Sequence, residues 1–157
     1  MTLRRITPAD NAAMKQIIQA DLKANDLALP GTVYFDPEID DLYQAYQNLE
    51  NSAYWVLSYE GQVVGGVGIA PYPDYPGVCE LQKLYLDAAY QGRGLSKTLM
   101  AQALDYGAKH YEICYLETHS NLVAAWHLYE KYDFQPLTQP LGSGAHSVMN
   151  RWYVKKF

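Results

Sequence analysis

Residues that form disulfides or bind metals are scarce in this chain. Its 157 residues include two cysteines, Cys79 and Cys114, and each lies inside an apolar, strand-like run. Two such cysteines cannot supply the disulfide framework of a small secreted domain, so we expect two buried thiols. The four histidines lie far apart, without a paired-ligand spacing such as H-x-x-x-H, and we therefore expect no metal site.

Long runs of apolar or basic residues are also missing. No stretch approaches the roughly 18 apolar residues that cross a bilayer, and the N-terminal MTLRRITPADNAAMKQ has no apolar signal-peptide core. We therefore expect a cytoplasmic protein with no membrane partner. The formal net charge is −5, and no cluster of lysine and arginine could follow a phosphate backbone, which argues against nucleic acid as a partner.

The residues that are present are typical of a globular protein. About half (49%) are apolar, and there are fifteen tyrosines, so we expect one folded domain over residues 1–157. Apolar periodicity and turn residues predict the order βααβββαβαβ, with a short extra strand near Pro136 and Leu137. The strands are predicted in TLRRI, SAYWVLSYE, QVVGGVGIA, VCELQKLYLD, EICYLET and SVMNRWYVKKF, and the helices in PADNAAMKQIIQADLKAN, DPEIDDLYQAYQNL, Leu95 to about Lys109, and NLVAAWHLYEKY. This order predicts an α/β (α+β) fold with a mixed sheet and flanking helices.

The stretch YQGRGLSKTLM, residues 90–100, places two glycines and an arginine at the start of a predicted helix. A helix N-terminus exposes unpaired amide N–H groups and carries partial positive charge. Gly92 and Gly94 would let a ligand approach the backbone, and Arg93 adds a permanent charge, so the stretch predicts an anion site. A P-loop would need glycine in place of Gln91 and Ser96, and the dinucleotide fingerprint lacks its third glycine, so neither motif fits.

The stretch resembles the Q/R-x-x-G-x-G/A turn of the GNAT superfamily of N-acetyltransferases, with Ser96 in place of the last glycine or alanine. Upstream, CELQKLYLDAAY is similar to the family's central strand. Downstream, NLVAAWHLYEKYDF is similar to its N-x-x-A-x-x-x-Y-E-K-x-G-F helix, with the alanine shifted by one position and Asp133 in place of glycine. The resemblance covers nearly the whole chain and is most specific from Val78 to Phe134.

This resemblance implies a fold and a cosubstrate. The fold is a mixed, mostly antiparallel central sheet of six to seven strands with about four flanking helices, in which VCELQKLYLD and EICYLET splay apart. The cosubstrate is acetyl-CoA, with its diphosphate on the glycine turn, its pantetheine amides paired to the central strand and its thioester between the splayed strands. The cofactor-binding residues expected from the resemblance are Leu84, Tyr85, Leu86, Gln91, Gly92, Arg93, Gly94, Leu95, Ser96, Asn121, Ala125, Tyr129 and Lys131. Asn121 could instead cap its helix, and Lys131 could be a plain helix C-terminal charge.

The resemblance also implies an enzyme that moves acetyl to a primary amine of a small molecule, amino acid or peptide by direct attack, without an acyl-enzyme. Tyr129 is expected to protonate the leaving sulfur, and Glu80 to act as base through a water. Glu80 has apolar strand neighbours, which predicts a raised pKa or a buried partner. Glu117 is the competing carboxylate. Tyr129 could instead be a core tyrosine, and Glu80 a structural ion-pair residue.

The acceptor is expected against the first two helices, in the region LPGTVYFDPEIDDLYQAY. Tyr34 and Phe35 are the candidate pocket walls, and the acidic residues that follow could attract a cation or simply stabilise a helix start. His146 and Trp152 could face the same cleft or a homodimer contact. The alternative function is a catalytically silent acyl-CoA-binding sensor or assembly module with the same fold.

Overall fold

The strands and helices follow the predicted order. The computed structural model describes residues 1–142 and 146–157. Its strands are β1 (Thr2–Arg5), β2 (Ala53–Tyr59), β3 (Gln62–Pro71), β4 (Val78–Leu86), β5 (Ile113–Thr118), β6 (Gln135–Leu137) and β7 (Arg151–Lys156). Its α-helices are α1 (Asn11–Ala24), α2 (Leu42–Gln47), α3 (Leu95–His110) and α4 (Val123–Lys131). The short β6 is the extra strand expected near Pro136.

All these strands form one sheet in the order β1-β2-β3-β4-β5-β7-β6. Neighbours are antiparallel except β4 and β5, which are parallel. These two pair only from Val78 opposite Ile113 to Glu80 opposite Tyr115, although both strands continue beyond this point. They therefore splay apart, and the expected mixed, mostly antiparallel sheet with a splayed pair is confirmed.

Helices cover both faces of the sheet. In β2, Tyr54 and Val56 pack in a cluster with α1 and α2, whereas Trp55 and Leu57 pack in a cluster with α3 and α4. Successive strand residues point to opposite faces, so a strand covered on both sides is apolar throughout. Each such fully buried side chain contributes about 1.5–3 kcal/mol, which explains the continuous apolar run in this part of the sequence.

The predicted second helix is wrong in its extent. The segment DPEIDDLYQAYQNL forms a 3-10 turn (Pro37–Asp40) followed by α2, because Asp41 leaves the helical region at φ −146° and ψ 70°. The Asp41 side chain then caps α2 by accepting a hydrogen bond from the backbone N–H of Gln44 at 3.1 Å. Asp36 makes no capping bond, which leaves its carboxylate free to contact another part of the chain.

A bulge interrupts β4 near its middle. Gly66 lies opposite Tyr85 and Gly68 opposite Gln82, so two β4 residues face one residue of β3. The bulged residue Lys83 has φ 50°, and its carbonyl accepts a hydrogen bond from the Tyr54 hydroxyl at 2.8 Å. A bulge changes the direction in which a strand's side chains point. Here it places a lysine side chain inside the molecule.

Both cysteines are buried free thiols, as expected, and they lie opposite each other on β4 and β5. Over residues 1–142 and 146–157, no helix is long and apolar enough to cross a membrane. Within the same residues, no three side chains of histidine, cysteine, aspartate or glutamate come together as a metal site would require.

Candidate active site

A cleft follows β4 where β5 diverges from it. It consists of two adjoining cavities. The turn cavity, of about 160 Å³, lies beside the turn that precedes α3, and the more enclosed carboxylate cavity, of about 110 Å³, lies between the splayed strands. The residues that line both cavities are Asp21, Leu84, Tyr85, Leu122 and Ala125. The cleft is therefore bounded by α1, β4 and α4.

The glycine turn presents unpaired amides to this cleft. Gly92 and Gly94 have φ values of 77° and 76°, in the left-handed region that favours glycine, and Gly94 is the N-cap of α3. None of the five backbone N–H groups from Gly92 to Ser96 donates a hydrogen bond to any described residue. Nothing lies within 4 Å of a Cβ built on either glycine. An anion can therefore approach the amides directly.

Gln91 holds the glycine turn in place. Its side-chain amide donates to the carbonyl of Leu86 at 3.1 Å and to the carboxylate of Asp21 at 3.2 Å. These bonds join the turn to the end of β4 and to α1. Arg93 is exposed, and its guanidinium carbon lies 5.0 Å from the centre of the Tyr90 ring. The turn thus combines free amides with a nearby cation.

The end of β4 has a free edge beside the turn. Its backbone pairs with β3 as far as Leu86 opposite Gly65, but its pairing with β5 ends at Glu80. Leu84, Tyr85 and Leu86 line the turn cavity along this edge. An extended amide-containing ligand could pair there as an added strand does.

Tyr129 reaches the carboxylate cavity from α4. The residue is 6% exposed, and its ring packs near the rings of Phe134 and Tyr153 at centroid distances of 6.0 and 6.3 Å. Its hydroxyl makes no hydrogen bond with a described residue, although the residue lines the cavity. Burial raises the pKa of Tyr129, and the nearby Cys114 and Asp21 raise it further. The hydroxyl therefore keeps its proton and can donate it to a ligand.

Glu80 lies in the same cavity and is held by a chain of neutral groups. The side-chain amide of Gln82 donates to Glu80 Oε1 at 2.6 Å, and the hydroxyl of Tyr46 donates to Gln82 Oε1 at 2.6 Å. Desolvation by burial raises the pKa of Glu80 and outweighs the hydrogen bond from Gln82, which lowers it; the charge of Glu117 raises it further, against the nearby Lys83 and His146. Within the described part of the chain, Glu80 forms no salt bridge. A carboxylate with a raised pKa can accept a proton near neutral pH.

Glu117 supplies a second carboxylate from the facing strand. The hydroxyl of Tyr115 donates to Glu117 Oε2 at 2.8 Å and accepts from the backbone N–H of Leu141 at 3.2 Å. The cavity therefore contains two carboxylates, one on each splayed strand, together with the Tyr129 hydroxyl.

Two basic side chains complete the wall of the carboxylate cavity. Lys83 forms a salt bridge with Glu38, and the Lys83 side chain is 3% exposed. The Nε2 atom of His146 lies 2.7 Å from the Asp36 carboxylate, and this hydrogen bond raises the pKa of His146. Sequence reasoning missed Lys83 and its neighbour Gln82. The signal was two polar residues within a strand whose other members, apart from Glu80, are apolar.

Several expected site residues lie elsewhere. Tyr34 packs against the cluster of α1 and α2, and Phe35 is 61% exposed, while Val33 and Glu38 of the same segment line the carboxylate cavity instead. Neither Tyr34 nor Phe35 lines this cavity. Trp152 lies opposite Glu117 in the β5–β7 pair but packs with Tyr115 in a separate cluster and does not line the carboxylate cavity.

Two residues expected near the cosubstrate line neither cavity. Asn121 does not cap α4, since the N-cap is Leu122, and its side-chain amide donates to the carbonyl of Asn25 at 2.9 Å. Lys131 is exposed in the last turn of α4 and lines neither cavity. By contrast, Ala125 lines both cavities, and Gln91, Gly92 and Ser96 line the turn cavity.

Comparison with known proteins agrees with this geometry. The profile of the Acetyltransferase (GNAT) family matches residues 17–134. The N-acetyltransferase YjgM of Escherichia coli (strain K12) is 42% identical over 150 residues, which cover 92% of this chain and 87% of the relative. N-acetylaspartate synthetase of Xenopus tropicalis is 33% identical over 99 residues, which cover 62% of this chain but 36% of that protein.

A solved structure shares the fold. The acetyltransferase yncA of Salmonella typhimurium, solved with acetyl-CoA, superposes with a TM-score of 0.78 at 20% identity and covers 99% of this chain and 93% of its own. The profile match and the close relative show that this chain belongs to the GNAT family of acetyltransferases and is an acyltransferase of the N-acetyltransferase type.

Proposed function

We propose that this chain transfers an acetyl group from acetyl-CoA to a primary amine of a small molecule, amino acid or peptide, by direct attack and without an acyl-enzyme. One observation carries the proposal: five free amides and a free strand edge lead into a cavity that holds two carboxylates and a tyrosine hydroxyl. Both cysteines are buried in the core, so neither is placed to carry an acyl group.

The turn and the strand edge fit the two ends of acetyl-CoA. The free amides from Gly92 to Ser96 and the charge of Arg93 suit a diphosphate, and the open edge at Leu84 to Leu86 suits an amide-containing arm. The bound cosubstrate supplies an activated acetyl thioester. Gln91 would keep the turn in register with this edge through its bonds to Leu86 and Asp21.

Tyr129 is the proposed donor to the leaving sulfur. A thiol has an ordinary pKa of about 8.5, whereas burial raises the pKa of Tyr129 above the usual tyrosine value, so complete proton transfer in water would be uphill. The same desolvated cavity also disfavours a thiolate, which raises the pKa of the thiol and reduces the difference between its pKa and that of Tyr129. Tyr129 therefore acts first as a hydrogen-bond donor to the developing negative charge, and its raised pKa keeps the donor protonated.

Glu80 is the proposed base, with Glu117 as the group that attracts the cationic amine. Glu80 has one oxygen held by Gln82 and a pKa raised mainly by burial, which suits removal of a proton through a water. Glu117 keeps its carboxylate oriented by the Tyr115 hydroxyl. The alternative assignment has Glu117 as the base and Glu80 as the group that attracts the amine.

The experiment is release of free thiol from acetyl-CoA with a panel of amines. An enzyme releases thiol above the rate without acceptor, whereas a sensor or assembly module would bind the cosubstrate and release none. Calorimetry with CoA alone separates the two parts of the proposal. No heat of binding would reject the cosubstrate site, and binding without release would reject the enzyme.

Three further expectations stay predictions. These are a single domain over residues 1–157, a cytoplasmic location and a homodimer. Absence of nucleic acid as a partner rests on the charge of the sequence alone.

A further inference from the structure

The carboxylate cavity contains a buried ammonium group that acetyl transfer itself does not need. The Lys83 side chain is 3% exposed, and it lines the carboxylate cavity but not the turn cavity. It therefore faces the acceptor and not the diphosphate of the cosubstrate. The bulge at Lys83 and the bond from Tyr54 to its carbonyl fix its position. Burial of a lysine is costly for stability unless its charge is compensated.

The compensation that the described residues provide is partial. The salt-bridge partner Glu38 sits on a 3-10 turn with 46% of its side chain exposed, where water weakens the attraction. The ring centre of Tyr46 lies 5.8 Å from the ammonium and adds a cation–π contact. An ammonium group has three N–H donors. A ligand carboxylate could accept from a donor that Glu38 does not use.

A second basic group lines the same cavity. His146 is bound to Asp36 at 2.7 Å, and Lys83 is near enough to affect its pKa. Both groups also act electrostatically on Glu80. The lining of this cavity, of about 110 Å³, thus includes the basic groups of Lys83 and His146 together with the carboxylates of Asp21, Glu38, Glu80 and Glu117.

We infer that the acceptor is a small primary amine that carries a carboxylate a few bonds away, as an α-amino acid does. Its ammonium group lies toward Glu80 and Glu117, and its carboxylate is held by Lys83 with His146. A zwitterion of this kind offers an acceptor to the remaining N–H donors of Lys83 and a donor to the carboxylates, whereas a polyamine offers donors only. This inference rests on the proposed function and specifies its substrate class.

The test compares amino acids with partners that lack one carboxylate. L-alanine, L-aspartate and L-glutamate are assayed beside their α-amides, with asparagine, glutamine and spermidine as further acceptors. We expect kcat/KM for the best amino acid to exceed that for its amide by at least about tenfold, because a charge-assisted hydrogen bond is lost. Equal rates for the acid and amide partners, or a preference for spermidine, would overturn the inference.

Two variants separate a binding role of Lys83 from a structural one. Lys83→Met should raise KM for amino acids and bring the acid-to-amide ratio toward one. Glu38→Gln breaks the same salt bridge but leaves the ammonium free, so the ratio should stay the same or increase. Loss of Lys83 also changes the charge beside Glu80, but that affects both acceptors alike, which is why the ratio is the readout. Equal changes of the ratio in the two variants would mean that the ion pair is only structural.

A second measurement does not depend on turnover. If thiol release fails with every amine, the enzyme proposal fails, and the acceptor site can still be tested by calorimetric titration of the CoA-loaded protein. Binding of an amino acid in preference to its amide, lost in Lys83→Met, would support the site. Equal binding of both, or binding of neither, would overturn it.

Discussion

Replacement of Tyr129 by phenylalanine is the sharpest test of the chemistry. The hydroxyl lines the carboxylate cavity but makes no hydrogen bond with a described residue, so Tyr129→Phe loses no intramolecular bond. We expect the free energy of unfolding to change by less than about 0.5 kcal/mol. The affinity for CoA should also stay the same, since the ring that packs beside Phe134 is retained.

The expected loss of rate follows from the pKa of this hydroxyl. A positioned general acid contributes about 10² to 10⁴ in rate. Burial raises the pKa of Tyr129 and makes it a weaker acid than an exposed tyrosine, which places its contribution at the lower end. We therefore expect kcat to fall about 10²-fold, which is about 2.7 kcal/mol of activation free energy.

Tyr153→Phe is the matched control. Tyr153 packs 6.3 Å from Tyr129, is 1% exposed, and donates its hydroxyl to Glu130 at 2.8 Å. Its loss should lower the free energy of unfolding by about 1 kcal/mol and leave kcat unchanged. The two variants are compared by initial rates of thiol release, calorimetry with CoA and denaturant unfolding. A kcat for Tyr129→Phe within threefold of the parent would refute the role of Tyr129 as donor.

Three other changes test the turn, the base and the end of α4. Gly94→Ala should weaken CoA binding by about tenfold in calorimetry. Gly61→Ala is the control, because Gly61 has a similar φ of 79° and is equally open. Each variant should lower the free energy of unfolding by about 1 kcal/mol, but Gly61→Ala should leave CoA binding unchanged. Because the pKa of Glu80 is raised, kcat/KM should rise with pH through that pKa, and Glu80→Gln should remove this limb of the pH profile and lower the rate. Asp133 has a φ of 66°, in the left-handed region that favours glycine. Asp133→Gly should therefore raise the free energy of unfolding by about 0.5 kcal/mol, measured by thermal unfolding.

The pH dependence of stability checks the same carboxylate. The folded state binds the Glu80 proton more tightly than the unfolded chain does, so its contribution is present below the ordinary glutamate pKa and is lost as pH rises through the raised one. Glu80→Gln should therefore be more stable than the parent near neutral pH. Equal CoA affinity of Gly94→Ala and Gly61→Ala would contradict the role of the glycine turn. A pH profile of Glu80→Gln that keeps its acid limb would contradict Glu80 as the base, and a lower melting temperature of Asp133→Gly would contradict strain at that residue.

The sequence by itself determined the parts of this protein that depend on local chemistry. The glycines at 92 and 94 predicted an open turn before α3 that lets a ligand approach the backbone, and in the structure no neighbouring atom lies within 4 Å of a Cβ built on either glycine. The sequence also indicated the end of α4, because Asp133 stands where the resembling motif has glycine. In the structure the N–H of Phe134 donates to the carbonyl of Tyr129 and the N–H of Asp133 to that of Glu130, which is the pattern of a Schellman motif. The order of strands and helices followed from apolar periodicity, because burial on one or both faces leaves a repeat in the chain.

Only the tertiary structure decided which side chains meet in the carboxylate cavity. Lys83 is buried there because of a bulge, and a bulge shifts the register without leaving a clear pattern in the sequence. Its partner Glu38 comes from a 3-10 turn that sequence reasoning took for part of a helix, and His146 meets Asp36 across 110 positions of chain. Contacts of this kind depend on how distant elements pack on the two sides of β4, and no local pattern of residues encodes that arrangement.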